Sequence, residues 1–253
     1  MSFTATVLRF DSLPSTNLEA ANRAIAGAPE GLCVVAAEQT GGRGRLGRQW
    51  LSPKSAGLYF SIVLRPRLAQ SSWPLLTLMS AVAVHDALLQ SCNLQTDIKW
   101  PNDIVVADKK LCGILAETVS TETGDAVVIG IGINLTGHSF TPELQAVATS
   151  VEGELGNQVD YEVVLESLVR NLSVKYASLQ TNGAIDVTAQ WCARSSYCNG
   201  KRIRVAEDNE VFEATTRGLE SDGGLIVELD NGARKVIRAA DISSVRAAER
   251  VSR

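Results

Sequence analysis

The chain has 253 residues, 45% of them hydrophobic and 21% charged, with a formal net charge of −4. That composition describes an ordinary globular protein with room for one large core and a small appendage. The acidic balance excludes a global attraction to nucleic acid or an anionic membrane, so any anion site has to be local.

No apolar run approaches the ~20 residues of a bilayer span. The start, Met1-Ser2-Phe3-Thr4-Ala5-Thr6, lacks the basic and apolar regions of a secretory signal. Five cysteines, at 33, 92, 112, 192 and 198, are odd in number and form no C-x-x-C pair, and His85 and His138 are far apart. The pattern predicts neither a zinc site nor a disulfide framework and fits a reducing cytoplasm.

In chain order, residues 17–26 read as a helix with Ser15 or Thr16 as N-cap and Gly27 as stop. Val34-Val35-Ala36-Ala37 suits a strand. Pro53 and Gly57 then predict a loop ahead of a strand over 58–64, whose Leu58, Phe60, Ile62 and Leu64 mark the more apolar face. Leu75, Leu78, Met79, Val82 and Leu89 recur at helical spacing, giving a long amphipathic helix over 73–91 that carries His85 as a structural residue. Strands follow at about 96–100, 111–119 and 126–134, separated by turns at Pro101-Asn102-Asp103, Asp108-Lys109 and Thr123-Gly124-Asp125, the last two strands forming a hairpin. Leu165, Leu168, Val169, Leu172, Tyr176 and Leu179 mark a helix over 161–180, and a shorter one covers 184–194.

After Cys198-Asn199-Gly200 come short β-rich pieces (201–206, 211–219, 224–229, 234–238) between Asp/Asn/Gly turns, the pattern of a small barrel. Its ten basic and ten acidic residues from Gly200 to Arg253 cancel, so this part is no charged nucleic-acid arm. The prediction is an α+β protein divided near residue 198, into 1–197 and 198–253.

The densest chemistry lies in Gly41-Gly42-Arg43-Gly44-Arg45-Leu46-Gly47-Arg48, followed by Trp50. Glycine lets the backbone approach a ligand, arginine forks match phosphate and carboxylate oxygens, and the indole offers a stacking face. Gly42-x-Gly44-x-x-Gly47 also fits the dinucleotide fingerprint as a string. That motif needs a helix to open at once, and Pro53 and Gly57 argue for a loop instead. Three like charges on a glycine scaffold predict a loop that is mobile when empty and orders around an anion. A second cluster, Lys99-Trp100-Pro101-Asn102-Asp103, places a cation, an amide and a carboxylate at a strand end, where Pro101 starts a turn. Lys110-Leu111-Cys112-Gly113-Ile114-Leu115 could be plain strand entry, and the glycines of Gly130-Ile131-Gly132-Ile133-Asn134, taken alone, mean bulges or close strand packing.

Together with Ser15-Thr16-Asn17 and Gln39, these segments resemble the biotin protein ligase family over essentially the whole chain, catalytic domain and small C-terminal barrel included. The resemblance implies a biotin/lipoate ligase-like catalytic domain with a mixed sheet, plus an SH3-like barrel. It implies that biotin contacts Ser15, Thr16, Asn17, Gln39, Arg43, Gly44, Arg45, Lys110, Gly113 and Leu115. ATP would meet Arg48, Trp50, Lys99, Asn102, Asp103 and Asn134, with Trp50 over the adenine and Asn134 hydrogen-bonded to it. Arg45, Lys110, Lys99 and Asp103 would carry catalysis, with Mg²⁺ brought by ATP near Asp103.

The implied reaction has two steps. Biotin carboxylate attacks the α-phosphorus of ATP to give biotinyl-5′-AMP, and a lysine of a biotin carboxyl carrier protein then takes the biotin. Neither step needs an enzyme nucleophile. The chain departs from the family in having Pro14 where Asp often precedes Ser-Thr-Asn, with Asp11 three residues earlier. Only 14 residues precede Ser15, too few for the DNA-binding helix-turn-helix domain of some relatives, so DNA binding is not expected. A cytoplasmic enzyme with no membrane partner is expected, and a homodimer is left open. Two alternatives stand: a lipoate- or octanoate-transferring enzyme of the same fold, and a non-enzymatic nucleotide- or RNA-binding protein.

Overall fold

The computed structural model describes residues 3–207, 210–238 and 240–244; the expected second domain's last residues, 245–253, and Met1-Ser2 lie outside them. Seven strands form one sheet: β1 (Thr6–Phe10), β2 (Leu32–Ala36), β3 (Gly57–Leu64), β4 (Asp97–Lys99), β5 (Asp103–Val106), β6 (Lys109–Thr121) and β7 (Gly124–Asn134). Their order is β1-β2-β3-β7-β6-β5-β4, with β1 and β2 parallel and every other pair antiparallel, so the sheet is mixed as expected.

The helices are α1 (Thr16–Ile25), α2 (Pro74–Cys92), α3 (Pro142–Val147), α4 (Val151–Leu155), α5 (Tyr161–Asn182) and α6 (Ala184–Cys192). Ser15 caps α1, its hydroxyl accepting from the Leu18 N–H at 3.5 Å.

Strand alternation divides the apolar residues between two cores. Leu32, Val34, Val63, Ala126 and Val128 face α1, whose Ala20 and Ala24 are buried against them. Cys33, Val35, Phe60, Ile62, Val127, Ile129, Ile131 and Ile133 face the opposite side, in one core with α2, on which α5 and α6 pack. The more apolar face expected of 58–64, Leu58, Phe60, Ile62 and Leu64, lies in the larger core, and the other face is covered as well, since all eight residues of β3 are buried.

The same holds for α2. It is buried all round rather than amphipathic, including His85, whose Nδ1 lies 2.9 Å from Thr96 Oγ1. By length and composition Gln70–Cys92 would also pass for a bilayer span, contrary to expectation, but most of it is buried inside this fold. Within that core Asp86 pairs with Arg194 (2.6 Å) and Lys175 (2.8 Å), tying α2 to α5 and the end of α6.

The remaining strands, β8 (Asn199–Glu207), β9 (Glu210–Leu219), β10 (Leu225–Glu228), β11 (Arg234–Ile237) and β12 (Asp241–Ser244), form an antiparallel sheet ordered β11-β10-β9-β8-β12. Its Ile203, Val205, Ala214, Leu225 and Val227 join the larger core, so the two sheets share one apolar interior.

Two expectations about turns and cysteines fail. β5 is a strand between two expected turns where none was expected, starting on the turn residue Asp103, and Cys192 is bonded to Cys198. The chain turns tightly after α6, with Arg194 N–H donating to Trp191 O and Cys198 N–H to Ser195 O, and this brings the two Cα atoms to 5.0 Å. A search for C-x-x-C spacing misses a pair six residues apart. Cys33, Cys92 and Cys112 remain free.

Burial pushes the Asp86 carboxyl up, but the hydrogen bonds and charges of Arg194 and Lys175 outweigh it and hold the group below the usual carboxylate range. A depressed folded value contributes stability above the unfolded pKa of ~3.9 and loses it as pH falls through the folded value. Asp86→Asn is expected to lose about 3 kcal/mol in urea denaturation at neutral pH, because two part-buried cations lose their buried anion. The loss should shrink as pH drops below ~4.

Candidate functional site

The sheet face that carries α1 is only half covered by that helix. On the other half, register places Gly113 opposite Gly132, Leu115 opposite Gly130 and Glu117 opposite Val128, with Ser61 across from Gly130 on β3. Strand alternation therefore turns Gly130, Gly132 and Asn134 toward a cleft and sends Ile131 and Ile133 into the core. The glycines make a floor, not a bulge. The cleft has a volume of about 790 Å³, and all the residues predicted to bind line it.

At the α1 end the floor meets a polar network. Thr16 donates from its N–H and its hydroxyl to Gln39 Oε1 at 2.8 and 3.0 Å, and Gln39 Nε2 donates to Ser52 Oγ at 2.8 Å. Ser61 Oγ lies 2.8 Å from Thr16 Oγ1 and 2.6 Å from Asn17 Oδ1, and Asn17 Nδ2 donates to Glu117 Oε2 at 2.7 Å. Ser15, Thr16, Asn17 and Ser61 are all buried, so this end presents few polar groups on a rigid frame. Gly130 has to be glycine here, since a Cβ would come within 2.1 Å of Asn17 Oδ1. Ser52, Ser61 and Glu117 escaped the sequence reading because they stand singly on strands or loop and show their role only through register.

The Gly/Arg loop folds into a small hairpin. Arg43 bridges Gln49, the Trp50 N–H donates to Gly42 O at 3.0 Å, and a single 3₁₀ turn (Arg45–Gly47) forms its tip. Leu46 at that tip is 75% exposed with φ of +56°, a left-handed backbone that a leucine rarely adopts.

Each guanidinium has an internal partner, which offsets the repulsion anticipated among them. Arg43 pairs with Glu117 at 3.0 Å, Arg45 donates to Asn102 Oδ1 at 3.1 Å, and Arg48 pairs with Asp241 of β12. Trp50 lies on the floor itself. Cβ atoms on Gly132 and Gly113 would meet its ring at 2.5 and 3.1 Å, and its buried indole N–H has no acceptor among the described residues.

At the far end, Lys110 Nζ stands 2.7 Å from Asp103 Oδ1 and 5.4 Å from the centre of the Trp50 ring. Asp103 Oδ1 is buried, and among the described residues its close cationic partner is this ammonium. Asn102 is buried and locked to β6, its Nδ2 donating to Ile114 O at 2.8 Å and its carbonyl accepting the Ile114 N–H at 2.9 Å. Trp100 turns away from the cleft and donates to Gly223 O at 3.0 Å, and the Trp100–Pro101 peptide is cis.

Lys99 and Asp103 thus project from a corner pinned on both sides. Burial lowers the Lys99 ammonium below the usual lysine range, more than nearby Asp103 raises it. Asn134 Nδ2 donates to Thr149 O at 3.0 Å, so its amide is oriented from outside the strand. The arrangement suits a neutral polar ring at one end and a polyanion at the other. Asp11 stands apart, pairing with Lys54.

Comparison with known proteins agrees with this geometry. Residues 7–134 match the biotin/lipoate A/B protein ligase family, and residues 200–244 match the biotin protein ligase C terminal domain. A bifunctional ligase/repressor BirA of Bacillus subtilis is 36% identical over 234 residues, covering 90% of this chain and 71% of the relative. A biotin–[acetyl-CoA-carboxylase] ligase of Paracoccus denitrificans is 35% identical over 237 residues, covering 90% and 96%. The solved structure of a biotin protein ligase from Aquifex aeolicus in complex with biotin and ATP superposes with a TM-score of 0.85 at 26% identity, covering 96% of this chain and 100% of that one.

Gly130→Ala is expected to push Asn17 from its place and break the Ser61–Asn17–Glu117 chain. A loss of roughly 1–3 kcal/mol in urea denaturation should follow, typical of overpacking a tight site.

Proposed function

Because the chain belongs to the biotin/lipoate A/B protein ligase family, we infer that it is an ATP-dependent biotin–protein ligase. It forms biotinyl-5′-AMP from biotin and ATP and passes the biotin to a lysine of a biotin carboxyl carrier protein. The observation that carries this reading is the two-ended cleft, a neutral polar pocket at buried Ser15, Thr16 and Asn17 and half-buried Gln39, and a cationic end at Arg45, Arg48, Lys99 and Lys110 over one glycine floor.

The roles follow from the layout. The bicyclic ureido ring enters the α1 end, where its donors and acceptors exchange with the Thr16–Gln39–Ser52 bonds, and Leu115 and Gly113 flank its tail. That directs the carboxylate to Lys110, with Arg43 and Gly44 lining the way. The triphosphate lies at Lys99, Arg45 and Arg48, and the adenine is covered by Trp50 and met by Asn134. For this Trp50 has to leave the floor, and its unpartnered N–H favours the move.

Lys110 stands where the carboxylate oxygen and the α-phosphate meet, so its charge acts on the bond being formed. Arg45 neutralises charge on the phosphoryl oxygens. Holding the two anions in line accounts for the rest, and pyrophosphate leaves. In the second step the carrier amine attacks the acyl carbon, and AMP leaves.

Magnesium arrives with the triphosphate on this reading. Among the described residues no three His, Cys, Asp or Glu side chains converge, and Asp103 offers the single carboxylate that Mg²⁺ commonly takes from protein. The ion would offset phosphate charge. We keep the division near residue 198 as part of the reading, with 1–197 binding both substrates and 198–253 supporting them from the second sheet. On this reading the activity belongs in the cytoplasm, where ATP and the carrier subunit would be met.

Incubation with labelled biotin, Mg-ATP and a biotin-acceptor domain is expected to label the acceptor, and pyrophosphate release should follow biotin rather than lipoate. Lys110→Ala and Arg45→Ala should each lower adenylate formation by roughly 10²–10³ with an unchanged melting temperature. Release with lipoate alone, or wild-type rates in both variants, would count against the reading.

Phosphate favours the charged form of Lys99, so ATP affinity should fall as pH rises through the free enzyme's lowered lysine value. Calorimetry from pH 7 to about 10.5, the ordinary lysine value, is expected to show that fall early. Lys99→Arg, which keeps its charge, should move it to higher pH.

A further inference from the structure

Glu117 has no role in the reaction as derived so far, yet one of its oxygens joins the ring pocket to the Gly/Arg loop. Oε2 accepts from Asn17 Nδ2 at 2.7 Å and from Arg43 Nη2 at 3.0 Å. Asn17 belongs to the ring pocket, where its Oδ1 meets Ser61 Oγ at 2.6 Å and its side chain lies against Gly130. Arg43 belongs to the Gly/Arg hairpin and pairs with Gln49 at its base. A continuous chain, Ser61–Asn17–Glu117–Arg43, therefore runs from the floor of the ring pocket to the loop that covers it.

The loop's three arginines divide accordingly. Arg45 and Arg48 have partners at the nucleotide end, Asn102 and Asp241. Arg43 is the one whose charge is answered beside the ring pocket, by a carboxylate only 31% exposed. Its guanidinium is thus placed to fasten the hairpin rather than to bind the phosphate.

Resting on the ligase reading, we propose that Glu117 is a positioning residue: it latches the Gly/Arg loop through Arg43 and ties that latch to the ring pocket through Asn17. Anything that orders Asn17, such as a bound ring, also fixes the acceptor that Arg43 needs. The filled pocket therefore favours the closed loop, and the reactive mixed anhydride stays shielded until the acceptor lysine arrives. A partly exposed ion pair contributes little to folding, but it acts directly on an opening equilibrium that sets the rate of escape.

The test measures release of preformed biotinyl-adenylate without acceptor, for the wild type, Arg43→Ala, Glu117→Ala, Glu117→Gln and the Arg43→Ala/Glu117→Ala double variant. Each single variant is expected to release adenylate roughly three to ten times faster, a change in off-rate of the kind that follows loss of a charge pair. The double variant should stay within about twofold of the faster alanine variant, because both remove the same contact. Raising salt from about 0.1 to 1 M should speed release in the wild type more than in Arg43→Ala.

Glu117→Gln removes the charge while keeping the shape, so it serves if Glu117→Ala does not fold. Release at the wild-type rate in Arg43→Ala and Glu117→Gln would overturn the latch, as would a double variant whose effect is the product of the two. A wild-type chain that makes no adenylate would overturn the ligase reading, and the latch with it.

Discussion

Along β7 side chains point alternately to the two faces of the sheet, and everything at the site depends on which residue occupies which face. Val127, Ile129, Ile131 and Ile133 are buried in the larger core, where α2 and α5 cover the sheet. Their neighbours Gly130 and Gly132 carry nothing on the other face, and β6 brings Gly113 beside them in register. One strand thus supplies a packed interior and an open floor at once. A one-residue slip would bury the glycines and turn the isoleucines into the cleft. The long β6–β7 ladder, running from Cys112↔Ile133 to Thr121↔Gly124, makes such a slip expensive.

On that floor the protein balances its own charges before any ligand arrives. Arg43, Arg48 and Lys110 each face a carboxylate, from Glu117, Asp241 and Asp103 respectively, and Arg45 faces the Asn102 amide. An unpaired cation in a half-buried cleft would lower stability, and several together would repel one another. Internal acceptors remove both penalties while leaving the cations in reach. An incoming carboxylate or phosphate then exchanges partners instead of creating them. Affinity becomes a difference between two sets of charge-assisted bonds, and the anion that brings more oxygens wins.

The chemistry was legible in the sequence and much of the geometry was not. Gly/Arg repetition, the Lys-Trp-Pro-Asn-Asp string and the Ser-Thr-Asn triplet are compact, and the residues of each share a short segment that the fold keeps together. Glu117, Ser61 and Ser52 reach the cleft only through strand register, which no local pattern encodes. β5 was hidden because Asp103 at its start and Asp108 just past its end are turn residues, while its body is only Ile104-Val105-Val106. α2 read as amphipathic because its largest residues recur at helical spacing, yet Ala81, Ala83 and Ala87 let α5 and α6 pack on its remaining faces. The Cys192–Cys198 bond depends on the tight turn after α6, a conformation that spacing alone does not announce.

The second sheet enters the site through two contacts of different kinds. Trp100, 2% exposed, donates to Gly223 O and anchors the corner that bears Lys99 and Asp103. Asp241 on β12 pairs with Arg48 of the loop. The first is buried and fixes geometry; the second is partly exposed and yields to a competing anion. On the proposed ligase reading, a corner held rigidly and a loop held loosely suit a cleft in which one wall positions phosphate and the other opens to admit it. The shared core makes this possible, because a sheet that moved independently could not hold the corner bearing Lys99 and Asp103 in place against the cleft.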